Sequence, residues 1–88
     1  MDPTICWGDR DCYFTWVPHA VAGPDDCGLA DCCAPLVFNA DAVASYEAAF
    51  RRWCGYSPAG GSCFLLEVGN CPRRWPTCVE GRCIAVPY

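Results

Sequence analysis

The sequence has no lysine, a single histidine and a single methionine among 88 residues. Without lysine the basic charge rests on six arginines, and no run of them approaches the stripe needed to neutralise several phosphates, which argues against nucleic acid as a partner. No apolar run reaches the roughly 18 residues of a membrane span, so none is predicted. Met1-Asp2-Pro3 lacks the charged and apolar regions of a signal peptide. An exported protein is therefore expected to have lost its leader, with Met1 standing in its place. The C-x2-C knuckle of tight zinc sites and disulfide oxidoreductases is missing, as are an EF-hand loop, an internal repeat and a low-complexity tract. The lone His19 follows Pro18 with no Ser or Cys arranged as its nucleophile, so no enzyme is predicted.

What is present is cysteine: ten, namely Cys6, Cys12, Cys27, Cys32, Cys33, Cys54, Cys63, Cys71, Cys78 and Cys83. That density and even count mark a disulfide scaffold in an oxidising compartment, secreted, periplasmic or at the cell surface. A chain this short buries only about 60 to 65 per cent of its unfolded surface, so the bridges must supplement a small core, and reduction should unfold it. Ten cysteines allow on the order of a thousand pairings, and spacing selects none of them. Adjacent Cys32 and Cys33 are expected to take different partners. The net charge of −4 is uneven: residues 1 to 41 hold all seven aspartates and one arginine, residues 42 to 88 three glutamates and five arginines.

Residues 1 to 88 read as one domain built around residues 35 to 55. Leu36, Val37 and Phe38 form a short strand, Asn39 is a good N-cap, and a helix runs from about Ala40 to Trp53. Val43, Tyr46, Phe50, Trp53 and Cys54 fall within an arc of about 100° as its core stripe. Asp41 at the start, Arg51 and Arg52 at the end, a Glu47–Arg51 pair and Gly55 at the left-handed C′ position all support it. Ahead of it, residues 1 to 11 form an irregular lead-in held by Cys6, and Cys12 to Val17 a strand ended by Pro18. Residues 19 to 34 form a cross-linked loop. Behind it, Cys63 to Val68 is a strand candidate and residues 69 to 77 a long loop. Thr77 to Val79 and Arg82 to Val86 make a terminal hairpin around Glu80-Gly81, with Cys78 opposite Cys83. The expected fold is small, disulfide-rich α+β: one central helix packed on a short, mostly antiparallel sheet, with a C-terminal hairpin and long cross-linked loops.

CWGDRDC at Cys6 to Cys12, the Cys32-Cys33 pair, VFNADAVASYEAAF and the closing CVEGRC occur in an order that resembles uncharacterised small cysteine-rich exported bacterial proteins. The resemblance implies export, disulfides and a helix-plus-hairpin fold, and carries no catalytic or binding residue across. The present chain departs from it in a longer loop before the double cysteine.

The sharpest local candidate is CPRRWPTC, Cys71 to Cys78. Two prolines between cysteines leave few conformations, and a rigid extended segment is what a protease inhibitor offers. The order resembles a Bowman-Birk inhibitor loop, which implies Arg73 entering the acidic pocket of a trypsin-like protease, flanked by Pro72, Arg74, Trp75 and Pro76. It departs in placing Cys78 one residue early and Arg74 where a small hydroxyl residue is usual. A solvated, proline-stiffened linker is the plainer reading. Cys27, Cys32, Cys78 and Cys83 at x4 spacings offer a four-thiolate zinc site as an alternative, and Asp9, Asp11, Asp25, Asp26 and Asp31 offer hard oxygen ligands for calcium, although a solvated acidic face explains the aspartates equally. Neither cofactor is predicted. Trp7, Tyr13, Trp16 and Trp75 exceed what a small core readily hides, and can stack on sugars, meet a protein partner or drive self-association. The prediction is a non-enzymatic extracellular binding module, most concretely a protease inhibitor, with a cell-surface or matrix assembly subunit and a zinc-stabilised interaction module as rivals.

Overall fold

The computed structural model describes residues 2–30, 34–56 and 74–87. After a 3₁₀ turn at Asp9–Asp11 come β1 (Cys12–Thr15), β2 (Leu36–Asn39), α1 (Ala40–Cys54), β3 (Arg74–Val79) and β4 (Arg82–Pro87). The protein is a small disulfide-rich α+β domain. Among the described residues the strands pair antiparallel, as expected, in two two-stranded sheets, β1 with β2 and β3 with β4. The strand expected at Cys63 to Val68 and the double cysteine lie outside the described residues.

The helix forms where its local signals agree. Asn39 is extended, and its Oδ1 accepts the Ala42 N–H at 2.9 Å, satisfying one of the orphan donors of the first turn. Gly55 stops the helix at φ 77°, with its N–H donating to the Arg51 carbonyl. Glu47 stands 3.8 Å from Arg51 across one turn. Asn39 also ties the chain together. Its Nδ2 donates to the carbonyls of Asp2 (3.2 Å) and Ile5 (2.9 Å), and its backbone N–H to that of Pro3 (2.7 Å). Removing the cap and both amide donors by Asn39→Ala is expected to cost about 2 kcal/mol, a fall of roughly 8 to 16 °C in Tm. Asn39→Asp keeps the cap alone and should fall between the two. Equal melting temperatures for all three proteins would show that the lead-in is held without Asn39.

The core has two parts. Val17 and Phe50 are fully buried with Val21, packed by Leu29, Tyr46, Ala49 and the Cys27–Cys54 bridge, so the loop after β1 is fastened to the helix. Cys6, Cys12, Cys83 and Val37 form the second part with Phe14, Cys78 and Ala85, joining the hairpin to β1 and β2. The expected helix stripe is corrected in detail. Ala42 is buried while Val43 is only half-buried, and Trp53 is 44% exposed. Periodicity identifies a helix face, but not how far the partner extends along it.

Two strand boundaries differ from the sequence reading, each for a local reason. β1 ends at Thr15, because the Thr15 hydroxyl accepts the Val17 N–H (3.2 Å) and donates to Glu47 (2.9 Å), offering the chain a turn in place of a ladder. β3 begins at Arg74, inside the segment expected to be a loop. The Cys78 N–H donates outward to Asp9 Oδ1 at 2.8 Å, so Pro76, two residues earlier on the same edge, gives up no ladder bond. The hairpin turn is as expected. Glu80 (φ 52°) and Gly81 (φ 78°) both take positive φ, as a type I′ turn requires, and Cys78 stands opposite Cys83.

Candidate functional site

The residues of the expected inhibitory loop divide. Cys71, Pro72 and Arg73 lie outside the described residues. Arg74, Trp75 and Pro76 belong to β3, with Arg74 and Trp75 exposed. Cys78 is bonded to Cys6, Cα to Cα 5.9 Å, so it closes no ring with Cys71.

The four-thiolate zinc site is excluded. Cys27 is bonded to Cys54, Cys78 to Cys6 and Cys83 to Cys12, which leaves no thiolate at three of its four positions. The sulfurs of Cys6, Cys12 and Cys83 lie within 4.8 Å of one another only because two bridges stand side by side. Cys32, Cys63 and Cys33 lie outside the described residues. All six described cysteines are bridged.

Asp11 and Asp26 close local turns and Asp9 ties the lead-in to the hairpin, while Asp31 lies outside the described residues. Asp9 accepts from Cys78, Asp11 from Trp7 and Gly8, and Asp26 from Ala22, while His19 Nε2 lies 3.3 Å from Asp26 on the surface. The D-x-D spacing carries these roles in sequence, since Asx side chains commonly close such turns, but it does not say which backbone they bind.

The turn between Cys6 and Cys12 is a tightly constrained surface feature. Both cysteines are buried and bridge to opposing residues of the hairpin, Cys78 and Cys83. Between them Asp11 Oδ2 accepts the N–H groups of Trp7 (2.8 Å) and Gly8 (3.1 Å), and the Asp11 N–H returns to the Gly8 carbonyl (3.0 Å). On this fixed turn the Trp7 side chain is 92% exposed.

Beside Trp7 lies a cleft of about 330 Å³ lined by Asp2, Ile5, Trp7, Asp11, Asn39, Ala40 and Asp41. Asp2 accepts from the Thr4 hydroxyl (2.6 Å) and N–H (2.9 Å) and pairs with Arg82. The Thr4 hydroxyl, then the Thr4 N–H, with Arg82 adding to them, hold its carboxyl below the ordinary range. A second cleft of about 280 Å³, lined by Asp41, Ala42, Ser45 and Tyr46, shares Asp41 with the first. Trp75, Val79 and Ile84 on the hairpin are also exposed, as is Ile5 at the boundary between the hairpin and the cleft.

These features define a small disulfide-stapled α+β domain that displays aromatic and acidic groups on rigid turns. No family model, no curated protein and no solved structure matches the chain. Among the described residues no helix is long and apolar enough to cross a membrane.

Proposed function

We propose that the protein is a non-enzymatic extracellular binding module that meets a protein partner through the Trp7 turn and its cleft. One observation carries this reading: an indole 92% exposed on a turn fixed by two bridges and a carboxylate. Tryptophan is among the side chains most enriched in residues that dominate interface energy, and here the backbone that carries it is already fixed in the unbound protein. Bridges of this kind suit an oxidising compartment.

Comparing oxidised wild-type protein and Trp7→Ala tests it. Both should fold with the same bridges and melting temperature, since Trp7 supports no core. Cross-linking to secreted proteins should yield a distinct adduct with the wild type that Trp7→Ala lacks. Undiminished capture by Trp7→Ala would remove the reading, and an adduct made only of this chain would transfer it to the assembly-subunit class.

The narrower reading, inhibition of a trypsin-like protease through Arg73, draws on Arg74 and Trp75 being extended and exposed immediately after it, as residues following a scissile bond must be. An excess of oxidised protein that slows such a protease, with the effect lost in Arg73→Ala, supports this form. Untouched proteolysis removes it.

A further inference from the structure

We infer that the Trp7 cleft receives a cationic side chain, lysine or arginine, from a protein partner. This inference rests on the binding-module reading and deepens it.

The cleft walls come from three separately anchored segments: the lead-in carrying Asp2 and Ile5, the turn carrying Trp7 and Asp11, and the first turn of α1 carrying Ala40 and Asp41. Asn39 joins the first and third through its amide, and the two bridges fix the second, so the concavity stands ready without rearrangement. Its lining contains three carboxylates, one indole and no basic side chain. Arg82 offsets Asp2 from behind, leaving Asp11 and Asp41 as the uncompensated charges. Asp41 has no partner among the described residues.

Three occupant classes can be compared. An anion would gain from the positive end of α1, but it would meet Asp11 and Asp41, and the Ala42 N–H of that end is already taken by Asn39. A hard metal ion needs several carboxylate oxygens converging on one point, whereas Asp2 has both of its oxygens engaged by Thr4 and Arg82 and Asp11 has Oδ2 held by the Trp7 and Gly8 N–H groups, which leaves only Asp11 Oδ1 and Asp41 for a ligand. A lysine or arginine side chain uses every part of the lining. Its apolar stem rests on Ile5, its charge attracts an aromatic face, and its N–H groups reach the remaining carboxylate oxygens. A volume of about 330 Å³ accommodates one such side chain with water.

The test uses capped eight-residue oligoarginine and oligolysine peptides as probes, with oligoglutamate as control, and follows backbone and indole N–H resonances of the oxidised protein. The expected shifts concentrate at Trp7, Gly8 and residues 39 to 41, and weaken with added salt. Trp7→Ala should reduce affinity tenfold or more and Asp41→Asn about fivefold. Asp25→Asn, which removes the same charge outside the cleft, should change it less than twofold. Equal losses in Asp41→Asn and Asp25→Asn would mean diffuse attraction to an acidic protein and would overturn the inference, as would full affinity in Trp7→Ala or no shifts at the cleft. Trp7-dependent capture of a partner without oligocation binding would sink the cationic chemistry and leave the binding-module reading standing. Oligocation binding at the cleft together with Trp7-independent capture would support the cleft chemistry and remove the wider reading.

Discussion

Full reduction is expected to unfold the chain at 25 °C, with loss of near-ultraviolet circular dichroism. The reason lies in how two of the bridges share their loops. Cys6–Cys78 spans a sequence separation of 72 and Cys12–Cys83 one of 71. Taken alone, either restricts the unfolded chain by about 4 kcal/mol in the loop-closure treatment. Once one has formed, the other closes only the small ring of residues 6 to 12 and 78 to 83, about 3 kcal/mol. Replacing one pair by alanines should therefore cost about 3 kcal/mol and replacing both about 7. The double loss exceeds the sum of the two single losses, because each bridge partly covers for the other. Against a total stability of about 5 to 15 kcal/mol for a domain, the loss of both leaves little. The described core is small, since outside the cysteines its buried apolar side chains are Val17, Val21, Val37, Ala42 and Phe50. Denaturant midpoints of the two single-pair variants and the double-pair variant measure this. A reduced protein with an undiminished near-ultraviolet signal, or strictly additive losses, would contradict the shared-loop account.

The helix and the hairpin were legible because their determinants are local. Asn39, Asp41, Arg51, Arg52 and Gly55 all act within one turn of the helix ends, and Glu80-Gly81 fixes the hairpin register by itself. The facing of Cys78 and Cys83 followed from that turn. Their partners did not, because Cys6 and Cys12 reach the hairpin through the lead-in, whose course depends on the Ile5–Arg82 bridge and on Asn39, contacts far apart in sequence. Pro76 misled for a physical reason. Proline argues against a strand unless its missing N–H faces an outer edge, and edge orientation is set by pairing. The candidate site was legible in composition alone. Trp7 and Trp16 look alike as residues in an aromatic-rich half, yet Trp16 is half-buried beside the fastened loop and Trp7 stands almost wholly in solvent. Whether an aromatic side chain finds cover depends on which segments the bridges bring to it.

Phe50→Ala is expected to be the most damaging single substitution outside the cysteines, costing about 3 to 5 kcal/mol. Phe50 has no solvent exposure, lies against Val17 and Val21, and meets the Tyr56 ring edge to face with centroids 5.1 Å apart. It joins three segments: the end of the helix, the chain after β1, and the residues beyond Gly55. The Cys27–Cys54 bridge lies in the same cluster and keeps the loop tethered in the variant, so the cavity cannot close by letting the loop drift away. Trp53→Ala is the natural comparison, since it removes a larger side chain from the same helix three residues on. Its exposure of 44% and its contact with the neighbouring Arg52 guanidinium, 6.0 Å from the ring centroid, predict a loss of about 1 kcal/mol or less. Thermal melts of the two oxidised variants should differ by more than about 10 °C, with Phe50→Ala the lower. If Trp53→Ala proved the more costly, the helix stripe read from periodicity would describe the core better than the arrangement around Phe50. The helix would then have to bury its far end against something other than the Val17–Val21 loop.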